Sequence, residues 1–481
     1  MAARSGAELL RGLKDNREIW IGDGRVDDVI SHPDFAGAAR GLAEVFDLQL
    51  AAPDDLLFPD PETGEAINVS HMMTRSRADI ARRHRGLRRI SEHTVGVMGR
   101  TPDYMNVTYA SFAGSHDEWS EHGNEAGAAR LVEYQKELRR KDICLTHTLI
   151  HPTIDKAIDE NPRADNDVIL RKTGETEHGI IVRGARILAT LAPFADELAV
   201  YPGRPLPEDG GKFALAFNIP MATPGLKFMC RDSCAGTLNR FDHPISSRFD
   251  EQDAFVIFDN VEVPRDRIFI DGNVKVYNQV MTRSWTGNVM QQTMVRAQTK
   301  LEFAWGLATA MTEAIGDTSP TAQQMLGELW CYSKLAECAI QAAEENPREW
   351  SNGILAPDAP PLIALRAMMP TWMPRANEII KLLGSHNLLA TPTWKMMNDE
   401  GLRPFIDRYL HGAKADMSAE RRVRLFRLAW DFAGTALASR VELYERFYLT
   451  SGARNRQRAH QMANRESAMK MVERFLNEPV E

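Results

Sequence analysis

The chain has 481 residues, of which 43% are hydrophobic and 26% are charged, and its formal net charge is −8 at pH 7. This composition is typical of a globular protein, and the length predicts two or three packed domains or layers. No apolar run approaches the roughly 20 residues that a membrane-spanning helix needs. The negative charge argues against nucleic acid as the main partner. We therefore expect neither a membrane nor a nucleic acid as partner.

The N-terminus and the cysteines predict a cytoplasmic location. The first residues, MAARSGAELLRGLKDNREIW, include acidic side chains and lack the continuous apolar segment of a secretory signal. The five cysteines are an odd number and are scattered from Cys144 to Cys338, unlike a disulfide framework. Both observations favour a reducing compartment.

The first part of the chain, from Gly6 to about Lys141, has a mostly helical pattern that is interrupted by AAPDDLLFPDPETGE and by a turn at Pro102. Within it, TRSRADIARRHRGLRR holds seven arginines. Ile80 and Leu87 are seven positions apart, as on one helix stripe, so we interpret this run as a solvated helix face. A nucleic-acid-binding surface is the alternative interpretation.

The middle of the chain has the pattern of strands. From about Asp167, short apolar runs are separated by glycine and proline: DVILRKTGE, HGIIVRGARILAT, ELAVYPG, KFALAFNIP and DAFVIFDNVEVP. The unbroken run from Ala254 to Phe258 is too short for a helix and rich in β-branched and aromatic residues. It predicts a strand that is buried on both faces.

After Ile270 the apolar residues recur every three or four positions, which predicts long amphipathic helices packed as an antiparallel bundle. Helices, strands and helices in this order indicate an α+β fold with separated layers. The two clearest runs are Leu301, Trp305, Ala308, Met311, Ile315 and Leu425, Leu428, Phe432, Ala436, Ser439, Leu443, Phe447.

The usual nucleotide motifs are missing from the sequence. No G-x-G-x-x-G follows a predicted strand and no P-loop motif occurs, which disfavours a nicotinamide site of the usual kind. His147 and His151 have the spacing of metal ligands, but Pro152 after His151 disfavours helical geometry there. Cys230 and Cys234 lack a second Cys/His pair at zinc-site spacing. We expect no metal site.

The stretch GRTPDYMNVTYASFAG places Arg100 and Tyr104 on either side of a Thr-Pro-Asp turn. Arginine is a permanent cation with a planar fork of donors, so it can hold an oxyanion. Tyr104 and His147 can exchange hydrogen bonds or protons with a hydroxyl group. Together the three would suit a phenol or a peroxide, although each taken alone is also typical of a structural residue.

Six motifs occur in order over roughly 350 residues: RTPDYMNVT, DICLTHTLIHPTIDK, GIIVRGARILATLAP, FDNVEVPRDRIF, LLGSHNLLATPT and ELYERFY. With them the chain resembles the oxygenase-component family of 4-hydroxyphenylacetate 3-monooxygenase, the large component of two-component flavin hydroxylases. The resemblance implies a homotetramer with an acyl-CoA dehydrogenase-like fold. Its parts would be an N-terminal helical domain (1–146), a central β-barrel domain (147–272) and a C-terminal helical bundle (273–481).

The resemblance also implies the site residues. Arg100, Tyr104 and His147 would surround the substrate hydroxyl and the reactive edge of the flavin. After YERFY this chain reads LTSG where many relatives have a short Gly-Asp-Pro turn, so that loop departs from the family pattern. The implied flavin contacts are His147, Thr148, Leu149, Thr153, Ile154, Asp155, Lys156, Thr190, Leu449, Thr450, Ser451 and Gly452.

The implied reaction is ortho-hydroxylation of a phenol in aromatic compound catabolism. Reduced FAD from a separate NAD(P)H-flavin reductase would react with O₂ to form a C4a-hydroperoxyflavin. His147 is the candidate for proton transfer or for holding the peroxide, because the ordinary histidine pKa of about 6.5 lies near working pH. GRPLPEDGGKF (Gly203 to Phe213) is either a lid that excludes water or a plain surface connection. The particular phenol, and FAD rather than FMN, are not specified by the residues.

Three alternatives remain. An acyl-CoA dehydrogenase would use oxidised FAD and a carboxylate base. A 4-hydroxybutyryl-CoA dehydratase would hold an iron-sulfur cluster with cysteines and a histidine, but the chain has no cysteine before Cys144. A non-catalytic scaffold or RNA-binding protein would use the arginine run.

Overall fold

The computed structural model describes residues 2–154, 166–236, 239–281, 283, 285–447 and 450–478, and every structural statement below refers to them. Helices dominate both ends of the chain and two sheets lie between them. The N-terminal helices are α1 (Gly6–Gly12), α2 (Ala36–Ala51), α3 (Pro53–Leu56), α4 (Arg77–His93), α5 (Pro102–Gly114), α6 (His116–Ser120) and α7 (Glu125–Lys141).

Helix α5 is the helix that positions the candidate site. It begins with Pro102, which suits the first helical position because the missing N–H would have no intrahelical partner there. All of its residues are buried, so it is a core helix rather than an amphipathic surface helix. Tyr104 lies in its first turn.

The arginine run forms α4, and its apolar stripe is confirmed, since Ile80 and Leu87 are buried. The prediction of a solvated helix face is confirmed for most of its arginines, but Arg83 departs from it. Arg83 is 1% exposed and donates hydrogen bonds to Gln291 and Asn288. A fully buried guanidinium needs such partners, so at least this arginine serves packing between helices rather than binding of nucleic acid.

The five apolar runs of the middle region form strands, as the sequence predicts. In the run from Ala254 to Phe258, however, Phe255 and Ile257 are only partly buried, so burial alternates along the strand. The strands are β1 (Glu18–Ile21), β2 (Gly24–Arg25), β3 (Leu57–Pro59), β4 (Ala66–Asn68), β5 (Leu145–Thr148), β6 (Arg171–Glu175), β7 (Gly179–Thr190), β8 (Glu197–Val200), β9 (Leu215–Pro220), β10 (Leu226–Cys230), β11 (Asp253–Pro264) and β12 (Ile268–Asp271).

These strands form open sheets rather than the expected barrel. One sheet has the order β2-β1-β10-β11-β7-β6 and the other β12-β9-β8-β5. A barrel requires its outermost strands to pair with each other, and within the described residues they do not. Strand β1 also pairs in parallel with β10, with Glu18 opposite Lys227. The N-terminal segment thus contributes to the sheet, which the helical pattern of that segment did not predict.

The C-terminal part is a bundle in which three long helices, α10 (Trp285–Ile315), α11 (Pro320–Glu345) and α12 (Ala359–Leu389), pack on one another. The apolar run from Leu425 to Phe447 is two helices, because α15 (Ala419–Ala433) ends before Gly434 and the Trp430 ring lies against that glycine. The bundle comprises α9 (Val274–Gln279), α10 (Trp285–Ile315), α11 (Pro320–Glu345), α12 (Ala359–Leu389), α13 (Trp394–Met397), α14 (Arg403–Tyr409), α15 (Ala419–Ala433), α16 (Ala436–Phe447), α17 (Gly452–Met462) and α18 (Glu466–Leu476); α8 (Ser246–Phe249) precedes β11, and a hairpin of β13 (Arg348–Glu349) and β14 (Leu355–Ala356) precedes α12.

No helix in the described part of the chain is both long enough and apolar enough to cross a membrane.

Candidate functional site

Arg100 and Tyr104 lie together at the start of α5. The guanidinium carbon of Arg100 is 4.1 Å from the centroid of the Tyr104 ring, a cation–π contact. Tyr104 is 1% exposed, whereas Arg100 is half-buried. The turn at Pro102 brings the two side chains onto each other, as the spacing suggested.

His147 completes a stack of three aromatic side chains. Its ring lies 5.4 Å from the Tyr104 ring at 29° and 5.3 Å from the Tyr201 ring at 19°. His147 is in β5 and Tyr201 directly follows β8, and these two strands pair in parallel with His147 opposite Ala199. We call Tyr104, His147 and Tyr201 the ring stack. The ring stack joins the core helix α5 to β5, the edge strand of the four-stranded sheet.

His147 is held in its neutral form. It is 5% exposed, and its Nδ1 atom has no hydrogen-bond partner among the described residues. Burial, and next the Arg100 cation, lower the pKa of His147 well below its usual range. The expectation that this histidine titrates near working pH is therefore wrong. What remains is a neutral imidazole whose buried Nδ1 atom has no partner among the described residues.

A buried group of charges lies behind Arg100. The backbone N–H of Arg100 donates to Glu251, which also accepts from Arg440 at 2.5 Å. Arg440 donates to both carboxylate oxygens of Asp253, at 2.8 and 2.6 Å. We call Glu251, Asp253 and Arg440 the charge network. It fixes the backbone at Arg100 to the strand β11 and the helix α16.

The charge network also reaches Thr190, one of the expected flavin contacts. The Thr190 hydroxyl donates to Asp253 at 2.7 Å, and the Thr146 hydroxyl donates to the carbonyl of Thr190 at 2.5 Å. Burial alone would raise the pKa of Asp253, but the Arg440 guanidinium, aided by Arg231, holds it well below its usual range. The ionised Asp253 carboxylate therefore connects Thr190, at the end of β7, with Arg440, which in turn bonds to the Glu251 that holds the Arg100 backbone.

The segment after β5 turns from the interior to the surface. Thr148 is buried and its hydroxyl donates to the Ile187 carbonyl at 3.1 Å, while the Leu149 carbonyl accepts from Arg186 at 2.6 Å. Thr153 and Ile154 are exposed, Ile154 by 71%. Asp155 and Lys156 lie outside the described residues.

The second expected flavin loop lies at the start of α17. Ser451 caps this helix by accepting a hydrogen bond from the backbone N–H of Arg454, and Gly452 is its first residue. Helix α17 packs against α12. Leu449 lies outside the described residues. Contact of Thr450, Ser451 and Gly452 with the flavin stays a prediction.

The expected lid connects β8 to β9. Its backbone N–H groups at Gly203 and Leu206 donate to the side chains of Tyr277 and Asn278, at 3.1 and 2.8 Å. Because Tyr201 at its start belongs to the ring stack, the loop does lie next to the site. Closure of the loop stays a prediction.

The sequence did not single out Tyr201, Glu251, Arg440 or Tyr444. Two signals were present, namely the acidic cluster DEQD just before an apolar strand and the ELYERFY motif, which contains Tyr444. His151 and the pair Cys230 and Cys234 have spacings that resemble those of metal ligands. Among the described residues no group of three or more histidine, cysteine or acidic side chains is placed to hold a metal.

The half-buried Arg100 and the buried His147 lie against the Tyr104 ring, between a core helix and a sheet edge. Residues 5–270 match the family model described as 4-hydroxyphenylacetate 3-hydroxylase N terminal, and residues 277–477 match its C-terminal counterpart. The chain belongs to this family, as the sequence motifs predicted.

Relatives cover nearly the whole chain. The 4-hydroxyphenylacetate 3-monooxygenase oxygenase component of Thermus thermophilus is 35% identical over 99% of this chain and 98% of its own length. The 4-nitrophenol 2-monooxygenase oxygenase component of a Rhodococcus species is 30% identical over 92% and 85%.

Solved structures agree in fold. The oxygenase component HpaB complexed with FAD superposes with a TM-score of 0.93 at 34% identity, covering 99% of this chain and 98% of that one. A complex of HpaB with FAD and 4-hydroxyphenylacetate has a TM-score of 0.92 at 34% identity, covering 98% of each chain. An archaeal 4-hydroxybutyryl-CoA dehydratase reaches 0.88 at 18% identity over 100% and 96%, and shares the fold alone.

Proposed function

We propose that the chain is the oxygenase component of a two-component, FADH₂-dependent aromatic monooxygenase that hydroxylates a phenol ortho to its hydroxyl group. Membership in the 4-hydroxyphenylacetate 3-hydroxylase family supports this function. The observation that carries it is the Arg100 guanidinium stacked on Tyr104 beside the neutral, partly unsatisfied His147. These residues supply a cation and a hydrogen-bond acceptor, which together suit the oxygen of a phenol.

The chemistry of these side chains suits phenol activation. An aromatic ring attacks an electrophilic oxygen more readily when its hydroxyl group is ionised. Arg100 stabilises the phenolate by its permanent charge, in a buried site where that attraction is stronger than in water. The unsatisfied Nδ1 of His147 can accept the hydrogen bond or the proton of the phenol. An incoming phenolate would also raise the pKa of His147, which burial otherwise lowers.

The residues present fit a reduced flavin. Bound FADH₂ supplies two electrons, so that one atom of O₂ enters the ring and the other leaves as water. The flavin would lie along His147, Thr148 and Leu149 and against Thr190, with the buried ring stack keeping water from the reacting atoms. We assign the remaining contacts to Thr153, Ile154, Asp155, Lys156, Leu449, Thr450, Ser451 and Gly452.

We also infer the setting of the enzyme. A separate NAD(P)H-flavin reductase supplies FADH₂, and the role in the cell is aromatic compound catabolism. A cytoplasmic location is supported by the five cysteines, all of which are free. We retain the boundaries 1–146, 147–272 and 273–481 for an acyl-CoA dehydrogenase-like arrangement of helical, β and helical domains.

A homotetramer is supported by large apolar side chains that are exposed along the last helices. Phe447 is 60% exposed, Met462 60%, Phe475 62% and Leu476 70%. Apolar surface of this extent is typical of interfaces between subunits. Native mass spectrometry tests the tetramer directly, since a monomer would contradict it.

The function is tested by anaerobic titration of the protein with FADH₂, followed by mixing with O₂ in a stopped-flow spectrophotometer. Each run is made with and without 4-hydroxyphenylacetate, 4-nitrophenol or another phenol. We expect tight binding of FADH₂, an absorbing flavin–oxygen adduct and a hydroxylated product from at least one phenol. Absence of reduced-flavin binding and of any adduct would overturn the proposal and favour a dehydrogenase-like enzyme.

A further inference from the structure

Tyr444 of α16 touches the guanidinium that the proposed function requires. Its hydroxyl oxygen accepts a hydrogen bond from the Nη1 atom of Arg100 and lies 3.3 Å from the carbonyl oxygen of Gly99, to which it donates. The same Nη1 atom donates to the Gly99 carbonyl at 3.0 Å. Three atoms thus close a small ring of hydrogen bonds around the end of Arg100. The partner comes from the C-terminal bundle, 344 positions along the chain.

The backbone at Gly99 is shaped for this contact. A β-carbon at position 99 would lie 2.3 Å from Cζ of Tyr444 and 2.5 Å from its oxygen. Contacts this short do not occur between unbonded atoms. A glycine is therefore needed for the tyrosine to reach Arg100, and any other residue would push the ring away.

Three guanidinium groups surround the Tyr444 ring. The guanidinium carbons of Arg100, Arg296 and Arg440 lie 5.3, 5.4 and 5.4 Å from the centroid of the ring. Arg296 makes a bidentate ion pair with Glu445, at 2.8 and 3.0 Å. Lys300 also lies near Glu445, at 3.5 Å.

Arg440 is likewise committed to the carboxylates of the charge network. The Nη1 atom of Arg100 donates to the neutral oxygens of Gly99 and Tyr444. Neutral acceptors fix the direction of a guanidinium without cancelling its charge. The tyrosine hydroxyl therefore fixes the direction of the Arg100 guanidinium.

We propose that Tyr444 is a positioning residue whose hydroxyl holds the Arg100 guanidinium over the Tyr104 ring, at the place where the phenol oxygen binds. This inference rests on the proposed function, because it takes Arg100 as the group that faces the phenol. Without the hydroxyl, the long Arg100 side chain visits other rotamers, and the phenolate is stabilised for a smaller fraction of the time. The phenol would still bind through its ring.

The test compares the wild-type protein with Tyr444→Phe, which keeps the ring and removes the hydroxyl. The probe is 4-nitrophenol, whose phenolate and phenol forms absorb at different wavelengths, titrated against pH in the presence of the protein. We expect the apparent pKa of the bound 4-nitrophenol to be higher in the variant by about one unit, because a hydrogen bond to a charged group has been lost. We also expect kcat for phenol hydroxylation to fall about tenfold, with KM changed less.

The matched control is Tyr134→Phe. It removes another buried tyrosine hydroxyl, one that donates to Glu197 at 2.7 Å and touches no residue of the ring stack in the described structure. The control should leave the ionisation of bound 4-nitrophenol as in the wild type. Tm is recorded for all three proteins, so that a structural effect is distinguished from a change in ionisation.

The outcomes separate this inference from the proposed function. If Tyr444→Phe ionises 4-nitrophenol like the wild type, or loses activity only together with Tm, then Tyr444 does not position Arg100 and the inference is overturned while the proposed function stands. If neither protein shifts the ionisation of 4-nitrophenol from its value in water, then Arg100 does not face the phenol, and both the role of Arg100 and that of Tyr444 are overturned.

Discussion

The ring stack and the charge network are both buried and both contact Arg100, but they differ in whether their polar atoms have partners. In the charge network both carboxylates are ion-paired with Arg440, and Asp253 is kept ionised. In the ring stack His147 keeps a buried nitrogen without a partner and is driven to its neutral form. The paired charges hold Arg100 in place, whereas the buried Nδ1 of His147 has no partner among the described residues and could bond to a ligand.

The largest effect is expected from breaking the charge network with Arg440→Met. Arg231 would still neutralise Asp253, but Glu251, whose side chain is 1% exposed, would be left without its ion-pair partner. Removing one member of a buried pair destabilises a protein by about 3–5 kcal/mol. We expect a fall in Tm of several degrees in scanning calorimetry. The control Arg446→Met, on the same helix, breaks an exposed pair with Glu442 and should change stability by about 0–1 kcal/mol. Equal Tm values for the two variants would contradict the expected difference between the buried and the exposed ion pair.

Arg100→Gln should act on catalysis rather than on stability. Removal of one preorganised group that stabilises an oxyanion lowers kcat by about 10² to 10³. Arg100→Lys keeps the charge but not the planar fork, so it should fall between the wild type and the glutamine variant. Steady-state kinetics with FADH₂ and an accepted phenol gives the ratio, and anaerobic titration should show that the flavin still binds. A fully active glutamine variant would remove Arg100 from the site.

His71 offers a comparison with His147 outside the site. It is 2% exposed, both its ring nitrogens lack partners in the described structure, and burial, with Arg139 nearby, lowers its pKa to about 3. The unfolded chain binds a proton at this histidine more readily than the folded chain does. The free energy of unfolding is therefore highest above the ordinary pKa of 6.5 and decreases as the pH falls below that value.

From this histidine alone we expect about 2 kcal/mol less stability at pH 5 than at pH 7. His71→Phe should flatten the decline of Tm with falling pH, whereas His178→Gln, at an exposed position, should not. An unchanged slope in His71→Phe would show that His71 is charged in the folded protein.

The smallest effect is expected from Thr190→Val, which removes the hydrogen bond to Asp253. Arg440 and Arg231 still hold Asp253, so the fold should persist. Loss of one hydrogen bond from the Thr190 hydroxyl to the flavin should lower the affinity for FADH₂ by about 1 kcal/mol, or roughly fivefold. The control Thr173→Val lies at an exposed position on β6 and should bind FADH₂ unchanged. If both variants bind FADH₂ like the wild type, then Thr190 is a structural partner of Asp253 and no flavin contact.

Local pattern and motif order predicted much of the molecule. The strands around Gly179–Thr190 and Asp253–Pro264, the helical C-terminal part and the family were all accessible, because each depends on neighbours in sequence. The same holds for Arg100 and Tyr104, which one turn of chain brings together.

Properties that depend on distant contacts were not accessible. The neutral state of His147 follows from burial against Tyr201 and Arg100, which the residue type alone does not reveal. The contact between Arg100 and Tyr444 spans most of the chain. The barrel was expected from the family resemblance and not from the strand patterns, which specify faces and not the order in which strands pair.

The central claim is that this site places one atom of O₂ on a phenol. The most direct measurement supplies the protein with FADH₂, a phenol and ¹⁸O₂, and analyses the product by mass spectrometry and NMR. The account predicts an ortho-dihydroxylated product that carries one ¹⁸O atom, formed by the wild-type protein and strongly diminished in Arg100→Gln. Consumption of O₂ with only hydrogen peroxide formed from every phenol, or a product whose new oxygen comes from water, would contradict it.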